Sequence, residues 1–273
     1  MGIELLQQDH YRIFDQTTLG AAFHATQSFA MDDTLCASVA TEGAAMRAWV
    51  HHQTVVLGIQ DARLPYLEDG VAVLEKNGFT PVVRNSGGLA VVLDEGVLNL
   101  SLVLPERGGI DIDSGYEAML ALVRRMFANE TSAIMPGEIV GSYCPGTYDL
   151  SIAGKKFAGI SQRRVRGGVA VQIYLCVTGS GSARAALIRD FYTAARKDAE
   201  TKFVYPDVVP ETMASLEELL GIPLTVGDTL LRAYQALIAM NARLIPSSLT
   251  ETENELFGAN WNRMLERNKK ALG

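Results

Sequence analysis

Three short runs of strand-forming residues, TPVVR (80–84), LAVVLD (89–94) and VLNLSLVL (97–104), follow one another with only turn residues between them. A parallel crossover within one sheet needs about a dozen residues or more, commonly a helix. Spacing this tight therefore predicts antiparallel or mixed pairing. Other runs extend the sheet. RAWVHHQTVVLGIQ (47–60) reads as a strand with β-branched residues gathered at Thr54, Val55 and Val56. TYDLSI (147–152) and KKFAGISQRRV (155–165) read as a hairpin across Ala153-Gly154, and VAVQIYLCV (169–177) returns after an Arg-Gly-Gly turn.

Helical spacing occupies other segments. SFAMDDTLCASVA (28–40) has Ser28 as a cap, and PYLEDGVAVLEKNG (65–78) ends at Gly78 as helices often do. DSGYEAMLALVRRMFANE (113–130) starts with Asp113 and Ser114. From Ser182 onward the pattern is helical, closing with a charged helix around 250–270. The expectation is an α+β fold: a mixed or antiparallel central sheet flanked by helices, with a helical C-terminal third. One domain over 1–273 is expected, its helical extension covering roughly 210–273.

Composition removes several classes of function. At 48% hydrophobic and 20% charged residues, the chain can bury an ordinary globular core. A net charge of −7 argues against nucleic acid as a partner. No apolar run is long enough to span a bilayer, and MGIELLQQDHYRIFDQ lacks the basic start and apolar middle of a signal peptide, so a cytoplasmic protein is expected. Cys36, Cys144 and Cys176 are an odd set without CxxC spacing, which fits reduced thiols. Adjacent His51 and His52, read on a strand, point to opposite faces and cannot easily share a metal. No metal and no cofactor are expected. The basic cluster QRRVRGG (162–168), with Arg163, Arg164 and Arg166, is either a solvated strand edge or a landing patch for an acidic partner.

Two stretches carry chemistry. In RNSGGLAVVLD (84–94), Arg84 ends a strand and Ser86, Gly87 and Gly88 make the turn. Paired glycines let backbone N–H groups approach a ligand, and the arginine suits an anion or a carbonyl. No GKS or GKT follows, so it is not a nucleotide-binding loop of that type, and no helix follows as in a dinucleotide fingerprint. The second is GSYCPGTYDLSIAGKKFAGISQRR (141–164): Cys36, on its helix, and Cys176, inside VQIYLCV, read as core residues, whereas Cys144 lies among turn residues. Reactive cysteines need partial exposure and a nearby positive charge. Converting half of an ordinary thiol to thiolate at neutral pH takes about 2 kcal/mol, which one close, partly desolvated ammonium can supply. Lys155 and Lys156 face opposite sides of their strand. Lys156, sharing a face with small Ala158, is the better candidate; Lys155, beside Phe157, reads as a solvated charge.

These residues resemble the catalytic domain of the lipoate–protein ligase, octanoyltransferase and biotin–protein ligase superfamily. The match is carried by RNSGG…DEGVLNLSL, with its arginine–Ser-Gly-Gly turn and the Asn99-x-Ser strand, and by GKKFAGISQ. FAMDDTLCASV, WVHHQTVVLGIQDARLP, GSYCPGTYDLSIAGKKFAGISQRR and YPDVVPETMASLEELLG extend it to one branch, the octanoyl-[GcvH]:protein N-octanoyltransferase family. Ligases have a third glycine where this chain has Leu89, and often a His where it has Leu93, so adenylate chemistry is disfavoured.

The resemblance implies an amidotransfer. Octanoyl leaves the lipoyl-lysine of the glycine cleavage H protein, rests on Cys144 as a thioester, and passes to a lysine on the lipoyl domain of a 2-oxoacid dehydrogenase acyltransferase subunit. It also implies that Lys156 holds the thiolate. Arg84, Ser86, Gly87, Gly88 and Asn99 would bind substrate, and backbone N–H groups near Ala158 and Gly159 would stabilise the oxyanion. Arg163, Arg164 and Arg166 would dock acidic lipoyl domains. The alternatives are octanoyl-acyl carrier protein as donor, an ATP-dependent ligase, and a non-catalytic lipoyl-domain binder.

Overall fold

A computed structural model describes residues 2–106, 110–165 and 167–273. In chain order the elements are β1 His10–Gln16, α1 Ala25–Glu42, β2 Ala45–Trp49, β3 Thr54–Leu57, α2 Leu67–Lys76, β4 Thr80–Val83, β5 Val91–Leu93 and β6 Val97–Pro105. Then come α3 Ile112–Met126, β7 Met135–Pro136, β8 Leu150–Ile152, β9 Lys155–Val165, β10 Gly168–Cys176, α4 Gly181–Arg196, α5 Leu216–Leu220, α6 Val226–Ile238, β11 Arg243–Pro246 and α7 Glu251–Leu272.

The mixed pairing inferred from the short turns is present, but it is divided between two sheets. An eight-stranded sheet runs β11-β1-β2-β6-β10-β9-β8-β7, and a three-stranded sheet runs β4-β3-β5. β1 is parallel to β11 and to β2, while β2, β6, β10, β9 and β8 pair antiparallel in succession. TPVVR and LAVVLD do not pair with each other. Each lies against β3, one parallel and one antiparallel.

The continuous strand expected at 47–60 is corrected. β2 belongs to the large sheet and β3 to the small one, and the chain leaves the ladder between them, with Gln53 at φ +31°. His51 sits buried in that connection while His52 meets Glu95 nearer the surface. The C-terminal third is helical apart from β11, which returns to the large sheet beside β1. A four-residue RLIP run between two helices carries too little periodicity to announce a strand.

Helices α3 and α6 cover one face of the large sheet, over a core of leucine, valine and methionine side chains. On the other face α1 packs against β6, β10 and β9, with α7 outside it. Arg12 of β1 donates to both carboxylate oxygens of Glu253 at 2.7 and 2.8 Å, tying the first strand to the start of α7. Near the other end of α7, the Asn268 side chain accepts from the Val83 N–H and donates to its carbonyl, closing the edge of β4 as a strand would. The small sheet packs with α2 and α4 in a second apolar cluster.

Helix α1 begins earlier than its apolar spacing suggests. His24 is its cap, in a reciprocal capping box with Gln27. Ser28 is thereby freed from capping and turns its hydroxyl into the interior. Likewise α3 is capped by Asp111, ahead of the expected Asp113. Among the described residues, no helix is long and apolar enough to cross a membrane.

Candidate active site

Two connected cavities lie where the large sheet, the small sheet and the start of α1 converge. Their floor is a row of residues in register across four strands: Trp49 of β2, Asn99 of β6, Tyr174 of β10 and Gly159 of β9. One cavity is walled by Trp49, Val56, Val91, Leu93 and Ile173, with Ser86 and Asn99 also lining it. Arg84, Val91, Gly159, Ser161 and Tyr174 line both spaces. The other cavity contains Cys144, Gly87, Gly88 and Asp149.

Cys144 sits in the loop before β8 with φ +45°, a left-handed conformation that a non-glycine residue rarely adopts. The loop is held from beneath. Lys156 Nζ donates to the carbonyls of Tyr143 and Cys144, both at 2.8 Å, and pairs with Asp149 Oδ2 at 2.9 Å. Asp149 Oδ2 also accepts from the Gly146 N–H at 3.0 Å, closing the turn after the cysteine. The Cys144 thiol faces the other way, toward the Ser-Gly-Gly turn. Its Sγ accepts from the Leu89 N–H at 3.2 Å and from Arg84 Nη2 at 3.4 Å.

Lys156 is thus placed at the cysteine loop, as the hairpin suggested, and Lys155 is exposed. The expected contact is corrected, however. The hydrogen bonds of Nζ go to loop carbonyls, the Ser142 hydroxyl and Asp149, and the cation whose N–H reaches the sulfur is Arg84. The face argument behind Lys156 is corrected too. A bulge sets Leu150 opposite Ala158 but Ser151 opposite Lys156, which leaves Phe157 as the extra residue and breaks the alternation. Ala158 lies in the core, paired with Leu150 on one side and Leu175 on the other, and lines neither cavity. Gly159, the next residue, does line both.

The basic cluster lies farther along β9. Arg163 is held by Asp33 at 2.8 and 3.1 Å, and Arg164 by Glu106 at 2.9 Å and the Ile110 carbonyl at 2.7 Å. Arg166 lies outside the described residues.

The apolar-walled cavity also has a polar side, lined by Ser28, Asp32, His51 and Gln172. Arg47, fully buried, donates to Asp32 Oδ1 at 3.1 Å and to the Ser28 hydroxyl at 2.8 Å, with its guanidinium 3.9 Å over the Trp49 ring. Since Arg47 can only donate, the Ser28 oxygen accepts, and its proton is free for His51 Nε2 at 2.9 Å. His51 Nδ1–H then donates to the Phe23 carbonyl at 3.1 Å. Burial, followed by the Arg47 charge, pushes the His51 imidazole down to about 3, consistent with that neutral tautomer. Burial raises Asp32 against the pull of Arg47 and Gln172. Burial also lifts Asp149 to about 6, against the opposing charge and hydrogen bond of Lys156.

The chain matches the model of the lipoyl protein ligase A/B catalytic domain over residues 24–238. It belongs to that family. An octanoyl-[GcvH]:protein N-octanoyltransferase of Exiguobacterium sibiricum is 78% identical over the full length of both chains. A lipoyl-[GcvH]:protein N-lipoyltransferase of Listeria monocytogenes is 52% identical, again over both full lengths. Among solved structures, a bipartite lipoate protein ligase system from Thermoplasma acidophilum superimposes with a TM-score of 0.73 at 20% identity, covering 97% of this chain and 98% of that one. At that identity the likeness speaks for the shared catalytic-domain fold.

Several residues of this family member's site escaped sequence reasoning. Asp149 directly precedes β8 and is buried, and its charge is met by Lys156 across the hairpin. Tyr174 faces Gly159 across the ladder, a bulky residue over a bare one. The Ser28–Asp32–Arg47–His51–Gln172 network is assembled from three distant segments, and no local spacing announces it.

Proposed function

We propose that the chain is a cytoplasmic octanoyl amidotransferase. It takes octanoyl from the lipoyl-lysine of glycine cleavage H protein and delivers it to a lipoyl-domain lysine of a 2-oxoacid dehydrogenase acyltransferase subunit, through a thioester on Cys144. The observation that carries this reading is the position of the Cys144 thiol. It meets the Leu89 N–H and the Arg84 guanidinium in a cavity that shares Arg84, Val91, Gly159, Ser161 and Tyr174 with the apolar-walled one. The name of the 78% identical relative supports octanoyl as the acyl group and GcvH as the donor.

In the first half-reaction the thiolate attacks the amide carbon, and the C–N bond breaks. The lysine amine leaves with the proton the thiol gave up. In the second, the neutral acceptor amine attacks the thioester carbon, the C–S bond breaks, and the proton the amine gives up returns to the departing sulfur, restoring the thiol. One amide is exchanged for another, so no nucleotide is consumed, and the thiolate divides amide attack into two easier steps. Hydrogen bonds from Leu89 N–H and Arg84 Nη2 fix Sγ facing the Ser-Gly-Gly turn. Lys156 acts through the loop, fixing Cys144 by its carbonyl, while Asp149 lines the same cavity and is the titratable group able to carry the proton. The acyl chain lies along Val56, Val91, Leu93 and Ile173, where each buried methylene contributes about 0.8 kcal/mol. The Ser28–Asp32–His51 network lines the same cavity.

The test is intact-protein mass spectrometry after mixing the protein with octanoylated H protein, without ATP. The expected result is a gain of one octanoyl group, released by neutral hydroxylamine and absent from Cys144→Ala. Loading from octanoyl-acyl carrier protein in its place would reassign the donor. No loading from either would remove the thioester reading.

A further inference from the structure

Two donors at the junction of the cavities lack an acceptor. Among the described residues, Arg84 Nε and the Tyr174 hydroxyl are buried and have no hydrogen-bond partner. Both residues line both cavities, and each is more than nine-tenths buried, with 7% exposure for Arg84 and 8% for Tyr174. A buried donor without an acceptor is unfavourable, and two such donors lining the same pair of cavities call for a ligand atom between them. The guanidinium that leaves Nε free is already fixed through Nη2 to Cys144 Sγ and the Leu89 carbonyl. Tyr174 is fixed as well. Its ring stacks on Tyr143 at 6.1 Å and fills the space over Gly159, where a Cβ would collide with Tyr174 Cε1.

We infer that Tyr174 is a catalytic residue whose hydroxyl donates, beside Arg84, to the acyl oxygen as it becomes an oxyanion at Cys144. This rests on the thioester reading above. When the thiolate attacks, the C–S bond forms and the carbonyl π pair moves onto oxygen. The oxygen accepts from Tyr174 and Arg84, collapse breaks the C–N bond, and the amine departs with the proton lost by the thiol. The Tyr174 proton stays on its own oxygen throughout. Burial, reinforced by the neighbouring Tyr143, Asp149, Cys176 and Cys144 groups, holds that hydroxyl well above the ordinary tyrosine range, so it serves as a donor and not as a base. Donors preset toward developing charge act with little reorganisation at the moment of reaction. The same oxygen position recurs in the second half-reaction, so both transfers use the same two groups.

Tyr174→Phe removes the hydroxyl and keeps the ring. The expected result is octanoyl loading from octanoylated H protein slowed by about 10²–10³-fold in kcat, with KM little changed. Alkylation of Cys144 by iodoacetamide involves no carbonyl oxyanion, so its rate and pH profile stay those of the parent protein. Thermal stability is unchanged or raised, because an unpartnered polar group has been removed. Loading at the parental rate overturns the inference and leaves the thioester standing. A parallel loss in alkylation overturns it too, since the residue then only supports the cysteine loop. If the unsubstituted protein does not load at all, the thioester reading is what has failed.

Discussion

The Asp149 carboxylate and the Lys156 ammonium meet at 2.9 Å beneath the cysteine loop, and the Lys156 side chain is completely shielded from solvent. Through Nζ the pair also holds the carbonyls of Tyr143 and Cys144, so the left-handed backbone of Cys144 depends on a charge that never reaches the sulfur.

Lys156→Met should therefore damage the fold and the thiol together. Removing one partner of a buried pair leaves the other uncompensated, at a cost of about 3–5 kcal/mol. For a chain of this length that is roughly a 10 °C loss in Tm. Cys144 alkylation and octanoyl loading should fall in parallel. The double variant Asp149→Asn/Lys156→Met should recover much of the Tm without recovering loading, and calorimetry with alkylation kinetics separates the two effects. If Lys156→Met melts like the parent, the pair does not hold the loop.

The pH dependence follows from Asp149. Its carboxyl, ordinarily near 3.8, is lifted to about 6 chiefly by burial. Protonation through that range removes the counter-charge of Lys156, so loading should decline as pH falls below about 6. The linkage sign keeps this separate from unfolding. A raised carboxyl pKa contributes stability that is full below about 3.8 and lost as pH rises through about 6, so this group does not destabilise the fold on acidification. Asp149→Asn should flatten the acid limb of the pH–rate profile at a lower plateau. A limb that persists in this variant belongs to another group.

Much of the site could be read from local sequence because its parts are neighbours along the chain. GSYCPG marked an accessible thiol, and the short Ala153-Gly154 hairpin had to return a lysine toward it. The sulfur's own partners, Arg84 and Leu89, lie more than fifty residues away, and only the packing of the small sheet against β10 brings them to it. The Phe157 bulge escaped for a different reason. Strand alternation is a rule about a regular ladder, and one extra residue in KKFAGIS moves Ala158 into the core without changing the pattern. Tyr174 reads as one more large residue in a buried strand until the bare Gly159 is found beneath it.

Gly88 is the position where the Ser-Gly-Gly turn has no freedom. Its φ is +105°, and a Cβ there would run into the Arg84 guanidinium. Gly88→Ala should displace the arginine from Cys144 and slow octanoyl loading by about tenfold or more, in line with one lost charge-assisted hydrogen bond of about 1.5–3 kcal/mol. Gly87, with open space around it, should accept alanine with little effect. Single-turnover loading of both variants checks this, and equal rates would mean that the arginine contact is dispensable.

Arg163 and Arg164 pose a choice between docking and edge protection. They lie on β9 beyond Ala158, where β8 has ended, so one edge of that strand has no neighbouring strand among the described residues. Charges on such an edge discourage pairing with other chains. Arg163 is held in a two-bond pair by Asp33 and is poorly placed to meet a partner, whereas Arg164 and Glu106 form a partly exposed pair at 2.9 Å. If acidic lipoyl domains dock here, Arg164→Glu should raise the KM for the acceptor several-fold and weaken the salt dependence of transfer. Single-turnover loading of Cys144 by saturating donor should stay at the parental rate, because Arg164 lines neither cavity. An unchanged acceptor KM, with the variant more prone to self-association in sedimentation, would instead assign these arginines to guarding the open edge.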